Sequence, residues 1–189
     1  LFKFLHTIKR GDYMDNIYSI IGQLPNELKS CFMAFDNVLL SNITEIRLRI
    51  NKPIIIYILD KPYFISKYDK LINHYTDSVR YLSGEEFKFI LDNICNNSYH
   101  THINTMINGY VTDNYGSRVG IAGEAVYKDS ALTSVKNIES INIRISHNII
   151  DCSRNILNTL YLKSSPSIII AGPPASGKTT ILRDMTRLL

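Results

Sequence analysis

Residues 172–179 read Gly172, Pro173, Pro174, Ala175, Ser176, Gly177, Lys178 and Thr179, which fits G-x-x-x-x-G-K-[ST]. Each residue type has a physical task. Gly172 and Gly177 let the backbone curl until several amides converge on one point, where phosphate oxygens bind with help from the helix N-terminus that follows. Lys178 adds a mobile positive charge for β- and γ-phosphates, the catalytic contribution expected of this segment. Thr179 offers a hydroxyl to Mg²⁺, and Thr180 extends the polar first turn. A glycine-rich turn of purely structural purpose does not explain the lysine.

This chemistry needs a strand before the loop and a helix after it. Ser167–Ala171 (SIIIA) is a continuous β-branched run of the kind found in buried parallel strands. Ile181, Leu182, Met185 and Leu188 recur at helical spacing and are expected to face a core. The rest of the chain divides in two. Residues 14–148 have the pattern of a small α+β domain. Residues 151–189 open a different architecture, the start (strand, P-loop, helix) of a RecA-like α/β domain.

Within the first part, Ile17, Ile20, Ile21 and Leu24 mark a helix ended by Pro25, and 26–35 mark a second. From Thr44 the period falls to two. Ile46, Leu48 and Ile50 alternate with Glu45, Arg47 and Arg49, and two short strands follow across the turn signals NKP and DKP. Residues 67–80 read as polar loop. Ser83 and Glu86 form a capping box before the apolar stripe of Phe87, Ile90, Leu91 and Ile94. Residues 106–146 are strand-like and punctuated by Gly109, Gly116, Gly120 and Gly123, where turns, bulges or close approaches are expected. Residues 151–162 read as a helix with Ile156, Leu157 and Leu160 on one side.

Composition excludes several function classes. The chain has 189 residues, 45% hydrophobic and 20% charged, as in globular domains. A formal charge of +4 without a basic tract interleaved with aromatics argues against nucleic acid as a partner. Three cysteines without ligand spacing, Cys31, Cys95 and Cys152, suit a reducing compartment. No apolar run approaches the about 20 residues a membrane span needs. His100-x-His102 would share one face of a strand, but a metal needs a third ligand and none is near in sequence, so a polar loop or edge strand is expected. The leading segment lacks a signal-peptide core. Lys9–Met14 (KRGDYM) can be back-translated to codons resembling a ribosome-binding site ahead of a start codon, so Met14 is expected to begin the native protein and 1–13 to be leader or disordered.

Arg118 and Arg144 lie in β-patterned segments. Strand arginines usually face water, but in phosphoryl-transfer machines an arginine from another domain or subunit often stabilises γ-phosphate charge.

The segments GSRVGIAGEAV (116–126), IESINIRIS (138–146) and GPPASGKTTILRDMTR (172–187), with TEIRLRINKPI (44–54), resemble the stage III sporulation protein AA family of endospore-forming bacteria. That family is similar to the ATPases of type II and type IV secretion and pilus systems. The resemblance implies ATP and Mg²⁺ as cofactors, with nucleotide between subunits of a hexameric ring. It makes Arg118 and Arg144 candidate trans-acting arginines. It places the protein in the mother-cell cytoplasm, peripheral to the membrane through other sporulation channel proteins, energising a secretion-like channel to the forespore. After INIRIS the chain reads HNIIDCSRN and departs from the family's arginine–glutamate and glycine pattern. The acidic strand and water-positioning residue of such a motor are not among these residues, so an N-terminal fragment with weak or no turnover is expected. Two other readings stay open: a nucleic-acid-linked P-loop ATPase, and a domain that oligomerises on nucleotide without motor activity.

Overall fold

The computed structural model describes residues 11–96, 98–112, 118–145, 150–161, 167–174 and 176–189. It is a mixed α+β structure with an antiparallel sheet. Packing divides the chain into a larger unit, Met14–Ser146, and a smaller one that includes His147–Leu189.

The larger unit is built on a seven-stranded sheet of order β4-β3-β2-β1-β7-β6-β5. The strands are β1 (Ile43–Arg49), β2 (Ile55–Ile58), β3 (Lys61–Ile65), β4 (Leu71–Ile72), β5 (Tyr110–Thr112), β6 (Arg118–Lys128) and β7 (Ala131–Arg144). Alternation along each strand sends one set of side chains to each face. Ile46 lies opposite Ile56 and Ile143, Ile143 opposite Val119, and Val119 opposite Val111. Leu48, Ile141 and Ile121 form the next row. These residues are buried.

Helices α1 (Gly11–Gly22), α2 (Asn26–Met33), α3 (Asn37–Ser41) and α4 (Gly84–Ile94) supply much of the rest of that core. Ile17, Ile20, Ile21 and Leu24 come from the first of these and the turn after it. Leu28, Cys31 and Phe32 come from α2, and Phe87, Ile90, Leu91 and Ile94 from α4. The capping box forms as expected: Ser83 Oγ accepts from the Glu86 amide at 3.1 Å, and Glu86 accepts from the Ser83 amide at 2.8 Å. Arg80 extends this cap by donating to Glu86 at 2.7 Å.

Two short turns lack glycine. Leu59 and Asp60 between β2 and β3, and Asp129 and Ser130 between β6 and β7, all have φ between 48° and 65°. Such left-handed pairs match the twist of antiparallel strands. Gly123 has a stricter role. Opposite it β7 carries extra residues, and a Cβ at Gly123 would stand 2.6 Å from the Lys136 carbonyl oxygen and 2.9 Å from Ile138 Cα.

Several expectations change. Within the strand-like stretch 106–146, residues 131–144 form one long strand, β7. Residues 106–108 belong to helix α5 (Ile103–Met106) and the turn after it, not to a strand. Loop 67–80 contains β4. Tyr99–His102 is a 3₁₀ turn leading into α5. Such a turn advances about 120° per residue, so positions two apart do not share a face as they would on a strand. Among the described residues no cluster of His, Cys, Asp and Glu could hold a metal ion. Gly116 lies outside the described residues. No helix among them is long and apolar enough to cross a membrane.

The smaller unit contains α6 (Arg154–Tyr161) and α7 (Lys178–Leu188). Residues 167–170 are not a strand there, and Ile169 is 92% exposed. A strand needs neighbours for its amides and carbonyls, and all the described strands lie between residues 43 and 144. The inner faces of the two helices are narrower than expected. Leu157 and Met185 are buried, whereas Ile156 and Leu182 are exposed.

Candidate nucleotide-binding site

Residues 172–174 and 176–177 lead into α7, and the two glycines serve it differently. Gly177 is the helix N-cap with φ +82°, a left-handed conformation that L side chains adopt at a cost. Having no side chain, it cannot cap the helix itself. The first turn of α7 therefore has no side-chain cap from this position. Gly172 lies where a Cβ would come within 2.9 Å of Ser176 Oγ.

The loop closes on one carbonyl. The Ser176 amide donates to the Pro173 oxygen at 3.4 Å, and Lys178 Nζ donates to the same oxygen at 2.5 Å. Lys178 Nζ also lies 3.5 Å from Ser176 Oγ. The first residue of α7 thus turns its ammonium back across the loop, adding its charge to the positive end of the helix dipole. Thr179 is exposed on that first turn, and Thr180 is half-buried. Pro173, Pro174 and Ser176 are exposed; Ala175 lies outside the described residues.

Two turns along α7, a carboxylate is buried. Asp184 is 4% exposed and accepts from the Asp151 amide at 3.0 Å, the Ser153 amide at 2.8 Å and Ser153 Oγ at 2.7 Å. Arg187 donates to it from Nε at 3.1 Å and Nη2 at 2.8 Å. Burial pushes the Asp184 carboxyl up. The Ser153 amide and hydroxyl, Arg187 and the Asp151 amide outweigh this and hold it well below the usual carboxylate range. Arg187 also reaches Asp151 at 2.8 Å, as does Arg154 at 2.7 Å, and these pairings lower the Asp151 carboxyl. Sequence reasoning passed over this group. The available signal was an acid at 184 inside the apolar stripe of Ile181, Met185 and Leu188.

Arg118 and Arg144 lie in the larger unit. Register pairs Arg118 with Thr112, Val119 with Ile143, and Arg144 with Glu45. The two arginines therefore fall opposite each other on adjacent strands, on the face away from the core. Arg47 and Arg49 share that face. Glu45 is the one carboxylate among these positions, and it pairs with Arg47 and, at 3.5 Å, with Arg144. The Arg144 side chain is nonetheless 81% exposed. Arg118 stacks over the Tyr110 ring at 4.3 Å, and Arg47 over Tyr57 at 4.4 Å. Like charges opposite one another on a sheet repel. Four guanidiniums around one carboxylate leave this face electropositive.

The family described as Sporulation stage III, protein AA matches residues 15–189. Stage III sporulation protein AA of Bacillus subtilis (strain 168) is 32% identical over 165 residues, which cover 87% of this chain and 50% of that protein. The chain thus spans about half the length of this curated relative. Among solved structures, the ATPase DotB of Legionella pneumophila aligns over 93% of this chain and 41% of its own, with 17% identity and a TM-score of 0.40. The family match over nearly the whole chain, with the relative at 32% identity, places this chain in the stage III sporulation protein AA family.

Proposed function

We propose that residues 172–180 bind the phosphates of ATP with Mg²⁺. The observation that carries the reading is the arrangement of Gly172, Gly177 and Lys178. Two glycines hold a tight loop, and a lysine ammonium is turned over it at the N-terminus of an eleven-residue helix. The donor set suits a triphosphate: first-turn amides, one ammonium, and the Thr179 hydroxyl as a Mg²⁺ ligand. Bound Mg²⁺ would supply charge neutralisation between phosphate oxygens.

On this reading, 151–189 opens a RecA-like ATPase domain and 14–148 is the α+β domain that precedes it. Hydrolysis belongs to the longer protein, assembled as a homo-oligomeric, hexameric ring. There Lys178 would stabilise developing γ-phosphate charge, aided by Arg118 or Arg144 of a neighbouring subunit. The electropositive sheet face supports that role, since Glu45 is one carboxylate among four arginines there and Arg144 stays exposed beside it. The work done would be to energise a secretion-like channel between mother cell and forespore, from the cytoplasmic side, with membrane attachment through partner proteins.

The first test is calorimetric titration of this chain with Mg²⁺ and a non-hydrolysable ATP analogue. Saturable binding that Lys178→Ala weakens at least tenfold is expected. Absence of binding, or equal affinity in the variant, would overturn the assignment. The guanidinium–tyrosine stacks favour one second reading, a nucleic-acid-linked P-loop ATPase. It requires single-strand affinity that falls steeply with salt and depends on Arg47 and Arg118.

A further inference from the structure

Asp184 does more than fill space between two helices. Its carboxylate receives donors from Asp151, Ser153 and Arg187, about as many as its lone pairs can accept. Three of those donors come from a segment more than thirty residues earlier in the chain. Ser153, itself 0% exposed, stands at the entrance of α6 and accepts the Leu157 amide at 2.9 Å. Asp151 has φ +62° at the same turn. The fastening is therefore made between the helix that starts with Lys178 and the turn that starts α6. An apolar pair would hold two helices together but would let them slide. A buried carboxylate meeting fixed backbone amides admits one register, because each displaced donor would be left unsatisfied.

We propose that Asp184 is a positioning residue for the phosphate loop. It locks the axis and register of α7 onto the 151–153 turn, so that the α7 N-terminus and Lys178 are held where phosphate must bind, and phosphate binding in turn tightens that turn. This rests on the nucleotide reading above. Asp184 itself touches no ligand; it acts through α7.

The test is amide hydrogen exchange and calorimetric titration on the 189-residue chain with Mg²⁺ and a non-hydrolysable ATP analogue. In the wild type, the analogue should slow exchange at the loop amides and also at Asp151 and Ser153. Asp184→Asn keeps the shape but offers an amide group where donors converge. It should weaken analogue binding about tenfold or more and abolish protection at 151 and 153. Ser153→Ala removes one donor and leaves the carboxylate charged. It should give a smaller loss, about two- to fivefold, and it decides the matter should Asp184→Asn not fold. Leu157→Ala, a buried α6 residue outside the clamp, controls for simple destabilisation and should bind within about twofold of wild type at temperatures where it is folded. Wild-type binding without protection at 151 and 153, or unchanged affinity in Asp184→Asn or Ser153→Ala, overturns the proposal and leaves the nucleotide reading standing. An equal loss in Leu157→Ala overturns it too. Absence of wild-type binding overturns both.

Discussion

Replacing Gly177 by alanine isolates one physical cost. At φ +82° an L residue is strained, yet a Cβ there would meet nothing within 4 Å. The whole penalty is thus conformational, about 1–2 kcal/mol. The unbound loop can relax out of the strained backbone, and binding must restore it, so the cost should emerge as lost affinity. At 1.4 kcal/mol per decade this is about a five- to thirtyfold rise in Kd. Gly172→Ala is the informative contrast. Its Cβ would collide with Ser176 Oγ at 2.9 Å, while Ser176 Cβ, at 3.7 Å, is in ordinary contact. Adding Ser176→Ala should therefore rescue Gly172→Ala and leave Gly177→Ala unimproved. Calorimetric titration with a non-hydrolysable ATP analogue and Mg²⁺ reads both effects, with thermal unfolding as the check on integrity. The reasoning fails if Gly177→Ala binds within twofold of wild type, or if removing Ser176 Oγ rescues both variants equally.

Three further outcomes are expected. In thermal unfolding, Gly123→Ala should destabilise the larger unit by about 1–3 kcal/mol, because the new Cβ meets backbone atoms that cannot step aside. Gly120→Ala, with its closest contacts at 3.6 and 3.7 Å, should cost less; the reverse order would refute the bulge argument. On acidification, Asp184 and Asp151 have carboxyls lowered in the folded state, so their stabilisation is complete above the ordinary value of about 3.9 and is lost as pH falls below it. Amide exchange should report the smaller unit loosening in that range, and Asp184→Asn should flatten its pH dependence. With a thiol reagent at pH 8, exposed Cys152 should react first. Burial pushes Cys31 up to about 12 and Cys95 up to about 11, so both should label at the rate of unfolding. Fast labelling of Cys31 in the folded chain would contradict its burial.

Local signals made much of the larger unit legible. Ile17 to Leu24 kept helical spacing, Glu45 to Ile50 alternated, and Ser83 with Glu86 announced a helix start, each within a few residues. What stayed hidden depends on distant partners. Residues 168–170 have the composition of a buried strand, but composition supplies no neighbouring strand, and Ile169 lies in solvent. The Asp184 clamp joins residues 31 to 36 positions apart, beyond any periodic window. The facing of Arg118 and Arg144 needed the register across β6, β7 and β1. The loop was legible because its demands are local: a left-handed backbone at Gly177 and the space beside Ser176 at Gly172.

The long hairpin of β6 and β7 has a mechanical consequence. Strand β7 is fourteen residues, about 45 Å end to end, yet β1 braces only Ser140–Arg144 of it. Glu139 is held too, its carbonyl accepting from the Ile50 amide at 3.1 Å, and Ile138 packs on the core. Before these, β7 pairs among the described residues with β6 alone, as a two-stranded cantilever tipped by Asp129–Ser130. Its natural flexing point is the bulge at Gly123 and Asn137, where the ladder is interrupted. A load on the tip would bend the ribbon there and carry torque down one continuous strand to its anchored end, where Arg144 sits.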